Sequence, residues 1–349
     1  MYNYLFVTTL GVLLAAAYIW SFKALPEERW QIICTIPLRK TVAGSWQGLN
    51  LTYYGFFNAV ALCAAVALVF VLTGAAGVDV GVLSVVLVLL LGWCLPVSRL
   101  IARWVEKKRH AFSVGAASFL GIVVGPWLVL LMEQVARRAW GITFSSMAAF
   151  SALMIGYALG EGIGRLACIS FGCCYGRPMD GMPPWIRRYF SWAAFTYKGC
   201  TKKIAYAHRL EGKKIFAVQG VTAVLYSISA LAGTLFFLQG DYAWAYFVCL
   251  LITQGWRFIS EFFRSDYRGD RKISVYQIMS LLTIPYGLLL PFVFPAAGQA
   301  PEILNGLKVL WNPAVILFLQ IIWLIMFLRT GRSQVTGAGI TFHVKEDQI

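Results

Sequence analysis

The chain has 349 residues, of which 59% are hydrophobic and 13% charged, and its mean hydropathy is +0.70. So little polar surface cannot coat a soluble globule, which excludes a water-soluble fold and indicates an all-α, polytopic helical membrane protein. The formal net charge of +15 is gathered in a few loops bounded by hydrophobic runs. No recognition module accompanies those loops, so nucleic acid is not expected as a partner.

Apolar runs near the length needed to cross a bilayer recur at 4–22, 51–73, 81–97, 112–132, 143–163, 216–238, 242–263, 273–294 and 309–328. About eight to nine transmembrane helices are therefore expected. The first run lacks a basic start and a small-residue cleavage site, so it reads as an anchor helix rather than a signal peptide. Residues 23–47 are partly amphipathic and are expected to lie along the membrane surface. The chain then divides into this N-terminal anchor and interfacial segment (1–47), a membrane domain (48–296), and an extra C-terminal helix with a tail (297–349).

Most connections are short; the exception is 165–215. That segment carries Pro178, Pro183, Pro184, Trp185, Tyr189, Trp192 and Tyr197 among surplus basic residues. Rings that sit between water and acyl chains, beside cations that meet phosphate, suit the headgroup region, so a small interfacial cap is expected. Its basic cluster is one of three. The others are Arg99, Arg103, Lys107, Lys108 and Arg109, and Arg264, Arg268, Arg271 and Lys272. Alternating spans would put all three on one membrane face, cytoplasmic by the positive-inside rule.

Two helix ends hold the charges of interest. Glu161 and Arg165 are four apart and share a helical face. Arg257, Glu261 and Arg264 follow at i, i+4 and i+7. Two or three guanidinium forks at one depth suit a phosphodiester, which a planar fork binds bidentately; the alternative is a set of interhelical salt bridges holding the bundle. The stretch from Gly164 through Arg177, with two arginines, three glycines from Gly164 to Gly176 and three cysteines, closes the first of these helices. Glycines at this density allow a sharp turn and close approach to a ligand.

At these residues the chain resembles the prolipoprotein diacylglyceryl transferase family, bacterial membrane enzymes that lipidate a preprotein cysteine. The likeness lies in Gly164-Arg165-Leu166, in Gly172-Cys173-Cys174-Tyr175-Gly176-Arg177, and in Arg257-Phe258-Ile259-Ser260-Glu261-Phe262-Phe263-Arg264. Weaker echoes are Tyr54-Gly55, Gln219, Ile273-Ser274 and Gln277-Ile278, all in the family's order over 48–295. The pattern departs at Ser113-Val114-Gly115-Ala116, at Cys168 and Cys173, where Asn and Glu are the family's residues, and at 216–222.

The resemblance implies that a thiolate displaces glycerol phosphate from phosphatidylglycerol, or another anionic phospholipid, in the bacterial cytoplasmic (inner) membrane. A preprotein signal peptide would be the second partner. Arg165 and Arg257 would hold the leaving phosphate and Glu261 would orient one arginine; Tyr54, Gly164, Gly172, Cys173, Tyr175, Gly176, Arg177, Gln219 and Arg264 would line the substrate. The family's orientation turns the cap toward the periplasm, against the charge count, and is the one expected here.

No clear general base is present. His110 is a candidate, but an interfacial His is more often a solvated loop residue. Cys34, Cys63, Cys94 and Cys249 read as small hydrophobes. Cys168, Cys173, Cys174 and Cys200 gather at the cap without a CxxC pair, so neither a metal nor a cofactor is expected. A disulfide to Cys200, or a reactive thiol near Arg165 and Arg177, stays open. Two other readings remain: a noncatalytic anionic-lipid binder, and a transporter with a polar route past the same charges.

Overall fold

Each expected apolar run is helical, because in hydrocarbon every backbone N–H and C=O has to bond within its own segment. The computed structural model describes residues 1–106, 114–266, 273–294 and 301–349. In chain order the helices are α1 (Tyr2–Ala24), α2 (Tyr53–Ala75), α3 (Val80–Glu106), α4 (Val114–Trp140), α5 (Ser146–Phe171), α6 (Pro184–Tyr189), α7 (Lys203–His208), α8 (Val218–Leu238), α9 (Tyr242–Ser260), α10 (Val275–Val293), α11 (Ile303–Val309) and α12 (Pro313–Thr330). The strands are β1 (Ile32–Lys40), β2 (Trp46–Thr52), β3 (Ala194–Thr196), β4 (Lys214–Phe216) and β5 (Arg332–Ile340).

Among the described residues, eight helices are long and apolar enough to cross a membrane: α1 to α5, α8, α10 and α12. The expected span at 242–263 is α9, whose last turns carry Gln254 and Arg257 and so dilute its apolar character. It nevertheless packs antiparallel along α8. The Phe237 and Tyr242 rings meet at the turn, 4.9 Å apart; the Tyr226 hydroxyl donates to the Thr253 carbonyl at 2.6 Å, and Trp256 Nε1 donates to Thr222 Oγ1 at 2.8 Å.

The centre of the bundle is α5, nearly all of whose faces are buried against α2, α8 and α9. Lipid offers no hydrophobic drive between helices, so close approach through small residues does the work. Gly156 and Gly160 meet Ala65 and Ala61 of α2, and Gly162 meets Ala223 of α8. The sequence places the end of this span near 163. The helix instead continues to Phe171, because Gly164 fits within it and nothing stops it before Gly172, so Arg165 lies inside the helix rather than at its end.

Residues 23–47 and the C-terminal tail differ most from expectation. Where a surface-lying amphipathic stretch is expected, β1 and β2 form an antiparallel hairpin, and β5 from the tail pairs with β2 to give the order β1-β2-β5. Thr52 N and Oγ1 both donate to the Gly331 carbonyl at 2.9 Å, fastening the start of α2 to the end of α12.

Between α5 and α8 the chain forms the cap of α6, α7 and the paired strands β3 and β4, and its Trp185, Tyr189 and Trp192 are exposed. Lys202 pins it to the bundle: its fully buried Nζ donates to the Ser170 carbonyl at 2.7 Å and the Leu25 carbonyl at 3.1 Å, at the ends of α5 and α1. Burial pushes its pKa down to about 8. Lys107, Lys108, Arg109 and His110 lie outside the described residues, as do Arg268, Arg271 and Lys272.

Candidate active site

The end of α5 is built by two residues in the left-handed backbone region. Gly172, at φ 71° and ψ 38°, lets its own N–H and that of Cys173 donate back to the Cys168 carbonyl at 2.9 and 3.0 Å. Cys174 also has positive φ, 56°, which costs a non-glycine residue about 1 kcal/mol or more. The chain therefore doubles back over the last helical turn and brings the Sγ atoms of Cys168, Cys173 and Cys174 within 4.8 Å of one another. All three are thiols. Mutual hydrogen bonds with Cys168 and Cys174, reinforced by burial, hold the Cys173 thiol well above the ordinary range.

The loop then joins the end of α9. Gly176 bridges Arg264, Arg177 N donates to the Phe263 carbonyl at 2.9 Å, and Ser265 N donates to the Tyr175 carbonyl at 3.1 Å. Only glycine fits at 176, since a Cβ would strike the Phe216 carbonyl oxygen and come within 2.9 Å of a Val218 methyl. These backbone bonds set the two arginine-bearing segments against each other.

Between them lies a buried ionic centre. Arg165 Nη2 donates to Glu161 Oε1, as the i, i+4 spacing predicts, and Arg257 Nη2 donates to both oxygens of the same carboxylate and to the Tyr157 hydroxyl at 3.2 Å. Two guanidiniums on one carboxylate leave a net positive charge inside the protein. The Nε atoms of Arg165 and Arg257 are also buried with no hydrogen-bond partner among the described residues, and an unsatisfied buried donor of a charged group costs about 1–3 kcal/mol or more. The arrangement suits an anion.

A narrow pocket opens beside this centre, lined by Arg165, Arg257, Glu261, Arg264, Gln219 and Cys174, with Val218, Thr222, Tyr226 and Ser260 completing the wall. Side chains nearly fill it: the open volume is about 10 Å³, room for about one water. A larger ligand enters by displacing side chains. Arg264 is held by Asp266 through Nε and Nη2, both at 2.8 Å, and lies 3.6 Å from Glu261, which also accepts from Ser274 Oγ at 3.5 Å.

Residues 41–293 match the family model described as prolipoprotein diacylglyceryl transferase. The chain belongs to this family. Neither the curated proteins nor the solved structures include one that matches it. Prolipoprotein diacylglyceryl transferases act in lipoprotein biosynthesis on lipid and preprotein substrates at a membrane, and the helices described above make this chain a multi-pass membrane member.

Of the residues the family resemblance points to, Arg165, Arg257, Glu261, Arg264 and Gln219 converge on the pocket. Gln219, in the first turn of α8, donates through Nε2 to the Cys173 carbonyl at 2.8 Å and to the Tyr197 hydroxyl at 3.0 Å, while its Oε1 is buried without a partner. Glu261 faces Arg264; the carboxylate between Arg165 and Arg257 is Glu161. Cys173, Gly172 and Gly176 shape the loop, whereas Gly164 only packs against Ala61.

Tyr54 stacks obliquely on Phe171, 5.4 Å between centroids, outside the pocket wall. Tyr175 is buried in the cap, bonded to His208, and Arg177 is exposed. The residues at this centre that the sequence reading leaves out of the transferase site are Glu161, treated there as a partner for Arg165 and as a lining charge of a transporter route, and Tyr157. Their signal is the Tyr157, Glu161, Arg165 repeat every four residues along one stripe of α5.

Proposed function

We propose that the chain transfers a diacylglyceryl group from phosphatidylglycerol to a cysteine thiol of a preprotein in the bacterial cytoplasmic membrane. What carries the reading is the convergence of Arg165 and Arg257, from separate helices, on one carboxylate, with both Nε–H donors unsatisfied beside a pocket. Glu161 holds the two forks in register. An arriving phosphodiester takes the idle donors and shares the others, and its charge balances the buried excess.

The acceptor sulfur attacks the glycerol carbon bonded to the phosphate oxygen. The C–O bond breaks as the C–S bond forms, and its electron pair leaves on glycerol phosphate. Donors aimed at that developing charge are preorganised, and losing one such donor typically costs about 10²–10³ in kcat. Arg264, fixed by Asp266, closes the far wall.

The test incubates the purified chain with labelled phosphatidylglycerol and a lipobox peptide. A diacylglyceryl mass gain on the peptide cysteine is expected, and Arg165→Ala and Arg257→Ala should each abolish it. Lipid binding without any mass gain on the peptide would instead favour a noncatalytic anionic-lipid binder, a reading that the occupied state of both arginines on Glu161 also supports.

A further inference from the structure

Among the described residues, the pocket wall offers no base for the acceptor thiol. Its titratable acid is Glu261, which is turned to Arg264, and its remaining polar residues are arginines, amides, hydroxyls and Cys174. Cys174 is in that wall, and the thiols of Cys168 and Cys173 lie within 4.8 Å of its own. We infer that these three side chains bind a thiophilic divalent cation of the zinc class, with a fourth coordination position left on the pocket side for the acceptor sulfur. The role of that fourth position rests on the transferase reading; the metal site itself does not.

The geometry fits. A zinc ion with bonds of about 2.3 Å to sulfur in tetrahedral array sets its ligand sulfurs about 3.8 Å apart. The three Sγ atoms already lie within 4.8 Å of one another, so rotations of the side chains close the set. The backbone is shaped to bring them together, with Gly172 and Cys174 both left-handed and the Cys173 N–H returned to the Cys168 carbonyl. A strained non-glycine residue persists where its surroundings hold it, and such positions cluster at functional sites.

The chemistry of the donors selects the ion. An all-sulfur set is soft, which excludes magnesium, calcium and manganese as preferred occupants. Three thiolates on a divalent ion leave one negative charge, and Arg165 and Lys203 both stand within electrostatic reach of the thiols to offset it. A monovalent ion would leave twice that charge to be balanced. Gln219 supplies the outer support, holding the Cys173 carbonyl with Nε2 while its buried Oε1 has no partner among the described residues. Three protein ligands with an open position are the pattern of catalytic rather than structural zinc.

A thiol that coordinates such an ion is deprotonated outright. The acceptor cysteine therefore binds as thiolate, its proton passes to water, and its sulfur attacks the lipid carbon as described, with Arg165 and Arg257 taking the leaving phosphate. The spacing Cys168, Cys173, Cys174 hides this site in the sequence, because it becomes a cluster only when the loop folds back over the last helical turn.

The test uses the full chain in detergent, stripped with chelator and titrated with Co²⁺. Stoichiometric uptake with intense sulfur-to-cobalt charge-transfer absorption is expected. Cys173→Ser should weaken binding by more than the roughly 10–100-fold that loss of an outer-shell partner costs, and Cys200→Ser should leave it unchanged. Adding a lipobox peptide, but not its serine analogue, should shift the absorption.

Protection of the wild-type chain avoids any question of variant folding. Zn²⁺ should shield Cys168, Cys173 and Cys174 from maleimide while Cys200 stays reactive. No Co²⁺ uptake, or labelling of the three thiols at an unchanged rate, overturns the site even if lipid transfer is observed. Full transfer by metal-free protein overturns its role in activating the thiol. Metal bound without transfer counts instead against the transferase reading.

Discussion

Arg257, on α9, donates to both carboxylate oxygens of Glu161, 96 positions earlier in the chain on α5. The bond joins an arginine of one family motif to the helix that carries the other, and makes one carboxylate the shared partner of two cations. Glu161→Gln keeps the shape and removes the charge, leaving Arg165 and Arg257 uncompensated in the interior. The expected loss is about 3–5 kcal/mol, the usual cost of breaking a buried ion pair from one side. Thermal unfolding in detergent measures it, and an unchanged melting temperature would show the centre to be energetically idle.

The two signature glycines should part company. Gly176→Ala drives a methyl into the Phe216 carbonyl and the Val218 side chain, and is expected to cost about 1–3 kcal/mol by overpacking and to spread the loop from α9. At Gly164 the added carbon meets Ala61 at 3.7 Å, an ordinary contact. Alanine there should be neutral or stabilising by up to about 1 kcal/mol, since it favours helix. Equal melting temperatures for the two variants would contradict the assigned packing.

Gln219→Leu removes two hydrogen bonds, to the Cys173 carbonyl and the Tyr197 hydroxyl, and should lower stability by about 1–3 kcal/mol. Because the amide holds the signature loop, transfer should fall further than the folded fraction does. Comparing turnover with circular dichroism on the same samples separates the two effects; if both fall in proportion, Gln219 is a packing residue only.

Lys202 gives the cap a pH signature. Its folded pKa is lowered by burial to about 8 from an ordinary 10.5. Between those values the folded state binds fewer protons than the unfolded state, so stability rises with pH across that window, and below it the desolvation cost is felt in full. Melting curves from pH 7 to 11 should therefore show a rise in the wild type that is missing from Lys202→Met. Parallel profiles would mean that the ammonium is as well solvated in the fold as outside it.

The expected spans largely coincide with helices because twenty apolar residues in a row have no other stable arrangement in lipid, and the pairing of Glu161 with Arg165 follows from spacing alone. The reach of Arg257 to that same carboxylate does not. It depends on α9 returning beside α5, a tertiary fact with no local pattern. Gly164 carries a stronger sequence signal than Glu161 but does less at the site, since a glycine within a helix and one in a left-handed turn look alike as letters. The sheet is illegible for a different reason: β1, β2 and β5 are weak alone, and β5 lies far along the chain from its partner β2.

That separation bears on how the molecule is made. The Asn50 amide of β2 meets Thr336 of β5, 286 positions later, so the ribosome must have made β5 before this contact exists. Until then the edge of β2 that faces β5 has peptide groups without their partner strand. Closure of the sheet is thereby tied to the making of β5, which acts as a latch that a shorter nascent chain cannot yet close.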